Sequence, residues 1–222
     1  MRTRIAIVMI AVAVVTWAQT PAKLKEFVIE PVEPVGSHHN SLSNTEVNAD
    51  RVVLRDLIGF VYRTSPVRVQ GPGWLDDTYS VKARPQSGEE NQFLSALQRA
   101  LLDRLHLRVE HTGKEMPVYV VRMANPDAPK INQGSGAPTM SGGNGSLSVV
   151  NVPMSEFDDF LTGTFGRPVV DETGLKGRYT FDLAWPSGDL EALSKVISDR
   201  LGLVLTEDRR KVDVLLVERL GQ

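Results

Sequence analysis

The sequence predicts an α+β protein of two tandem β-α-β-β-α-β-β modules, each a small sheet with helices on one face. Three observations carry this reading. The phrase Asp103-Arg104-Leu105-His106-Leu107 recurs as Asp199-Arg200-Leu201-Gly202-Leu203. Upstream of it, Leu54, Leu57, Phe60, Val61 and Thr64 match Met154, Phe157, Phe160, Leu161 and Thr164 at a constant spacing of 100 residues. Within each copy the apolar period then switches between that of a helix and that of a strand.

The elements follow in chain order. Arg2 and Arg4 precede an apolar run from Ile5 to Val15, with small residues near Thr16 and Ala18. Residues 1–18 therefore read as a secretory signal peptide, with the mature chain beginning near Gln19. The run is short for a span of ~20 residues, so we expect a periplasmic or secreted protein with no stable membrane span after cleavage. The first module occupies 23–123. Its first helix carries the Leu57, Phe60 and Val61 stripe, repeated by Phe157, Phe160 and Leu161. A strand follows, in which Tyr79, Val81 and Ala83 alternate with Ser80 and Lys82, as Tyr179, Phe181 and Leu183 alternate with Thr180 and Asp182. Such alternation marks a strand buried on one face.

At a spacing of 96, Leu97, Ala100, Leu101 and Leu105 align with Leu193, Val196, Ile197 and Leu201, a second helical stripe. Ser87 with Glu90 has capping-box spacing, and Ser187 with Asp189 stands at the equivalent junction. Arg104 and Arg200 fall in the last turn, where a cation suits the helix dipole. Each module is then expected to end in a hairpin, with turns at Thr112-Gly113 and at Asp208–Arg210. The final strands, Met116–Met123 and Val212–Leu220, would lie at a sheet edge able to accept an extended segment; burial in a sheet shared by both modules is the alternative. Residues 124–146, rich in Gly, Pro, Ser and Asn, read as a flexible linker. The second module spans 147–222.

Composition narrows the chemistry. There is no Cys, so no disulfide and no thiolate nucleophile. Without Arg2 and Arg4 the chain has 23 basic against 27 acidic residues, a balance that argues against nucleic acid. His38 and His39 are adjacent and point apart on an extended chain, and His106 and His111 have no carboxylate at metal-site spacing. No metal site and no cofactor are expected. No G-x-S-x-G, H-E-x-x-H or Walker loop occurs, and no catalytic residue is assigned. The aromatic residues give a candidate binding surface of Trp74, Tyr79, Tyr119, Arg178, Tyr179 and Trp185. Trp74 and Trp185 could equally fold back as plugs on the core.

The stretches "FVIEPVEP", "VVLRDLIGFVYRTSPVRVQGPGWLDDTYSVKARP", "LLDRLHLRVEHTGKEMPVYVVRM" and "GRPVVDETGLKGRYTFDLAW" resemble successive motifs of an uncharacterised family of exported proteins. That family is abundant in soil Acidobacteria and also occurs attached to BlaR-type sensor peptidases. Each copy separately resembles the short N-terminal domain of secretins and TonB-dependent receptors, a periplasmic interaction module. The chain shows no secretin channel, receptor barrel or metallopeptidase motif beside it. Together these readings imply an exported, non-catalytic binding module that recognises a protein or peptide segment. One alternative is a small-ligand or cell-wall glycan binder that stacks its ligand on Trp74, Tyr79, Tyr179 and Trp185. Another is a hydrolase using acids such as Asp76, Asp77 or Asp171.

Overall fold

The computed structural model describes residues 23–35, 39–125 and 130–221; the expected signal peptide lies outside them. The first half contains β1 (Leu24–Pro31), β2 (Asn40–Leu42), β3 (Val47–Val53), α1 (Leu54–Tyr62), β4 (Val69–Gln70), β5 (Thr78–Pro85), α2 (Phe93–Leu105) and β6 (Leu107–Met123). The second repeats the order with β7 (Asn132–Gln133), β8 (Thr139–Gly143), β9 (Ser146–Pro153), α3 (Met154–Phe165), β10 (Val169–Asp171), β11 (Arg178–Ala184), α4 (Leu190–Leu201) and β12 (Leu203–Arg219). The fold is α+β.

The helical stripes read from sequence face the interior. Leu57, Leu97, Leu161, Leu193 and Ile197 are fully buried, and Asp189 caps α4 by accepting the Ala192 N–H at 2.9 Å. The equivalent capping box does not form: a 3-10 turn over Glu90–Gln92 leads into α2, and Glu90 instead accepts the Gly88 N–H. The repeated Asp-Arg-Leu phrase ends each helix at a left-handed residue, His106 (φ 52) and Gly202 (φ 67). It is the helix-to-strand junction that the sequence implies.

The expected terminal hairpins are corrected. β6 and β12 are each one unbroken strand of 17 residues, and they pair antiparallel along their whole length. Glu115 lies opposite Lys211, at the repeat spacing of 96, so the register is symmetric about that pair. The flanking strands obey the same symmetry: β4 pairs parallel with β12 through Val69 and Leu215, and β10 with β6 through Val169 and Tyr119. The central sheet thus runs β10-β6-β12-β4, alternating second, first, second and first half. The halves are interlocked through this sheet, the shared-sheet alternative that the sequence left open. Met116–Met123 and Val212–Arg219 belong to the two inner strands of this shared sheet, not to its edge strands.

The outer sheets are β1-β5-β3-β2 and β7-β11-β9-β8, one in each half. The matching sheet order places β7, β11, β9 and β8 in the positions of β1, β5, β3 and β2. The segment expected as a linker contributes β7 and β8, and Ile131 within it is buried. Asn144 (φ 51) and Gly145 (φ 84) form the tight turn between β8 and β9, the Asn-Gly hairpin turn whose twist suits paired strands.

Each half has its own core, completed by the other half's last strand. Leu215 and Val217 of β12 join the first core with Leu57, Val81 and Leu97. Val121 of β6 joins the second with Phe157, Phe181 and Ile197. Arg68 ties the halves further, donating to the carbonyls of Asp213 and Val169, both at 3.4 Å.

Candidate functional site

The repeat defines a place where the second half lacks what the first half has. In the first half, β1 covers the edge of β5, with Ile29 opposite Val81, Val28 opposite Lys82, Phe27 opposite Ala83 and Glu26 opposite Arg84. In the second half, β7 pairs only with Tyr179 and Thr180. By count Ile131 stands opposite Phe181, as Ile29 stands opposite Val81, and like Ile29 it is buried. The chain then leaves the sheet: Lys130 Nζ donates to the Asp199 carbonyl at 3.3 Å. Among the described residues, no strand covers Phe181–Ala184 on this side.

Which backbone groups face the open edge follows from alternation. The Trp185 N–H donates to Gly145 on the β9 side, and the Arg178 carbonyl accepts from Gly134 on the β7 side. Odd positions of β11 therefore bond to β9, and even positions face outward. The N–H and C=O groups of Asp182 and Ala184 thus point to the uncovered edge. Two adjoining cavities of about 420 Å³ each lie along it. Ile131, Asp199 and Arg200 line one end, and Leu183, Ala184 and Val196 the other. The Lys195 ammonium, 2.8 Å from Asp199, holds that carboxyl below its ordinary range by hydrogen bonding and charge. Leu190 is 40% exposed, whereas its repeat counterpart Leu94 packs on the first core, under the helix that meets β1.

The six residues proposed from sequence are not gathered into one surface. Tyr79 and Tyr179 are each only 6% exposed and belong to the two cores, so neither ring face is open for stacking. The Tyr179 hydroxyl accepts the Gly177 N–H. Trp74 packs on the first core beneath the Arg219 guanidinium, 4.4 Å from its ring. Tyr119 lies 4.9 Å from Phe165, under Arg167, and its hydroxyl donates to Glu207. Trp185 packs edge-on against Phe160. Arg178 donates to the Asn151 carbonyl at 2.7 Å. Three of the six, Arg178, Tyr179 and Trp185, nevertheless lie on β11 or directly after it. Their importance is that they border an open backbone edge, which no side-chain inventory reveals. The sequence does hold a trace of the edge: "FVIEP" before the first copy has only Ile131 as an apolar counterpart in "PKINQG" before the second.

The acids considered for hydrolysis are likewise separate. Asp76 accepts two hydrogen bonds from Arg55, which hold its carboxyl below the usual range. Asp171 accepts the Thr173 N–H. The group most displaced upward is Asp158 on α3, pushed to about 7 by burial, with Asp171 and Asp159 adding to the shift. Its Oδ1 has no hydrogen-bond partner among the described residues, and a groove that α3 borders through Asp159 and Gly163 does not include it.

The profile of the family described as Protein of unknown function (DUF3738) matches residues 55–220. The chain belongs to this family. No curated protein and no solved structure matches it. The DUF3738 match begins one residue into α1, so β1, β2 and β3 lie outside it, whereas β7, β8 and β9 lie inside. The open β11 edge and both cavities along it fall within the DUF3738 region.

Proposed function

We propose that the protein is an exported, non-catalytic binding module that captures an extended segment of a partner protein by adding it as a strand to β11. One observation carries this reading: among the described residues no strand pairs with Phe181–Ala184 on the side where the equivalent part of β5 is covered by β1. An open edge supplies main-chain hydrogen bonds for affinity and leaves selectivity to alternate side chains. Export is supported by Arg2, Arg4 and the apolar run that follows. The similarity of each repeat to the periplasmic interaction module of secretins and TonB-dependent receptors agrees with both parts.

The test starts from octapeptides selected on the mature protein from a displayed random library. A selected, dye-labelled peptide is then titrated against wild type, Ala184→Pro and Met140→Pro. Proline at 184 removes an outward N–H and spares the β9 ladder, so binding should weaken about tenfold. Met140→Pro, on β8 at the opposite edge of the sheet, should leave it unchanged. Equal binding by a folded Ala184→Pro variant rejects β11 as the platform. Amino-terminal sequencing of the secreted protein, expected to begin near Gln19, tests export.

A further inference from the structure

Resting on strand addition at β11, we propose what the added strand must look like: it runs antiparallel to β11, sets a large apolar residue opposite Leu183, and follows it with Lys or Arg opposite Asp182. The first half supplies the template. There the strand on the equivalent edge is antiparallel and sets Phe27 opposite the fully buried Ala83, with Val28 next, opposite Lys82. Phe27 faces inward and packs on the first core.

At β11 the position beside Leu183 opens on a cavity lined by Leu183, Ala184 and Val196 together with Asp182, Asp199 and Arg200. A bulky apolar side chain at the Phe27 position would cover the apolar groups among these and remove apolar surface from water. The next residue points to the opposite face of the sheet. Where Val28 meets Lys82 in the first half, it meets Asp182 in the second. Asp182 is exposed, has the uncharged Ser148 opposite it on β9, and forms no ion pair among the described residues. A cation across the strand from it is therefore favoured and an anion disfavoured. Arg200 does not oppose that cation directly. It lines the same cavities as Asp182 but forms no ion pair with it among the described residues, which leaves the Asp182 carboxyl to a cation on the added strand.

The probe is the pentapeptide LKEFV, the sequence of Leu24–Val28, which stops short of the positions that Ile131, Asn132 and Gln133 fill beside Phe181, Thr180 and Tyr179; it is labelled and titrated by fluorescence anisotropy against the whole protein. Within the peptide, Val28→Lys should tighten binding about threefold and Val28→Glu weaken it by a similar factor. Phe27→Ala should weaken it about tenfold. On the protein, Asp182→Lys should invert the Lys-over-Glu preference. Retention of the Lys preference by Asp182→Lys, indifference to Phe27→Ala, or no binding by any of these peptides overturns the inference. Ala184→Pro separates it from the reading on which it rests. If proline weakens the library-selected peptide while the predicted preferences fail, strand addition stands and the occupant pattern falls; if proline has no effect, strand addition falls first.

Discussion

Asp158 stands on α3 where the first half has Ile58, and both side chains are nearly inaccessible to water. A carboxyl in an apolar place prefers its neutral form, and burial carries Asp158 to about 7. The folded state therefore binds this proton more tightly than the unfolded chain, whose Asp titrates near 3.8. Its stabilising contribution is fully present below that lower value and is lost as pH rises through about 7. The difference is on the order of 4 kcal/mol at most. Asp158→Asn should remove this slope, so that urea melts at pH 4.5 and pH 7.5 differ less for the variant than for wild type. A wild-type slope unchanged in the variant would contradict the assignment. His106 offers a second test. It adopts the left-handed conformation that Gly202 adopts in the other copy, at a cost that glycine avoids. His106→Gly should raise stability by about 0.5–1 kcal/mol, read from the midpoint of denaturation.

Among the elements, helices were legible because each presents one apolar face to one core. Leu101 and Ile197 occupy matched positions on α2 and α4 and are 2% and 0% exposed, so Leu101→Ala and Ile197→Ala should each cost about 2–4 kcal/mol. A smaller loss in equilibrium unfolding would mean that the surroundings collapse into the gap. The long strands misled for a physical reason. Val118 and Val120 of β6 pack with Val212 and Val214 of β12 in a small third core, but beside them His111, Glu115, Lys211 and Asp213 are exposed. A polar stretch between apolar runs reads as a turn, although the backbone here never reverses. The segment 124–146 was misread in the opposite sense. Its Asn144-Gly145 pair is a hairpin signal that its Gly and Ser content disguised as linker. Val120, buried on β6 between β10 and β12, gives the matching test. Val120→Pro should abolish cooperative unfolding, because an inner strand has no spare donor to lose.

For the whole molecule, the repeat made the α+β class and the two helices of each half legible, but neither the three strands before each first helix nor which half each last strand serves. That depends on strand pairing across some 96 residues, which local periodicity does not encode. The site was less legible still. Tyr79 and Tyr179 are conspicuous as aromatics but belong to the cores, whereas Phe181–Ala184 of β11 is marked by having no covering strand among the described residues. Interlocking predicts that fragments 23–125 and 130–222 are each without a cooperative melt and regain one when mixed, as followed by circular dichroism. A sharp transition from either fragment alone would show that a half can stand unaided. The pairing of β6 with β12 also sets an order in time. A chain that emerges from its amino terminus completes α1, α2 and β5 long before Leu215 and Val217 arrive to close the first core. Until β12 has been delivered, the earlier-made half must wait with apolar surface uncovered, and any chaperone that attends this protein meets it in that interval.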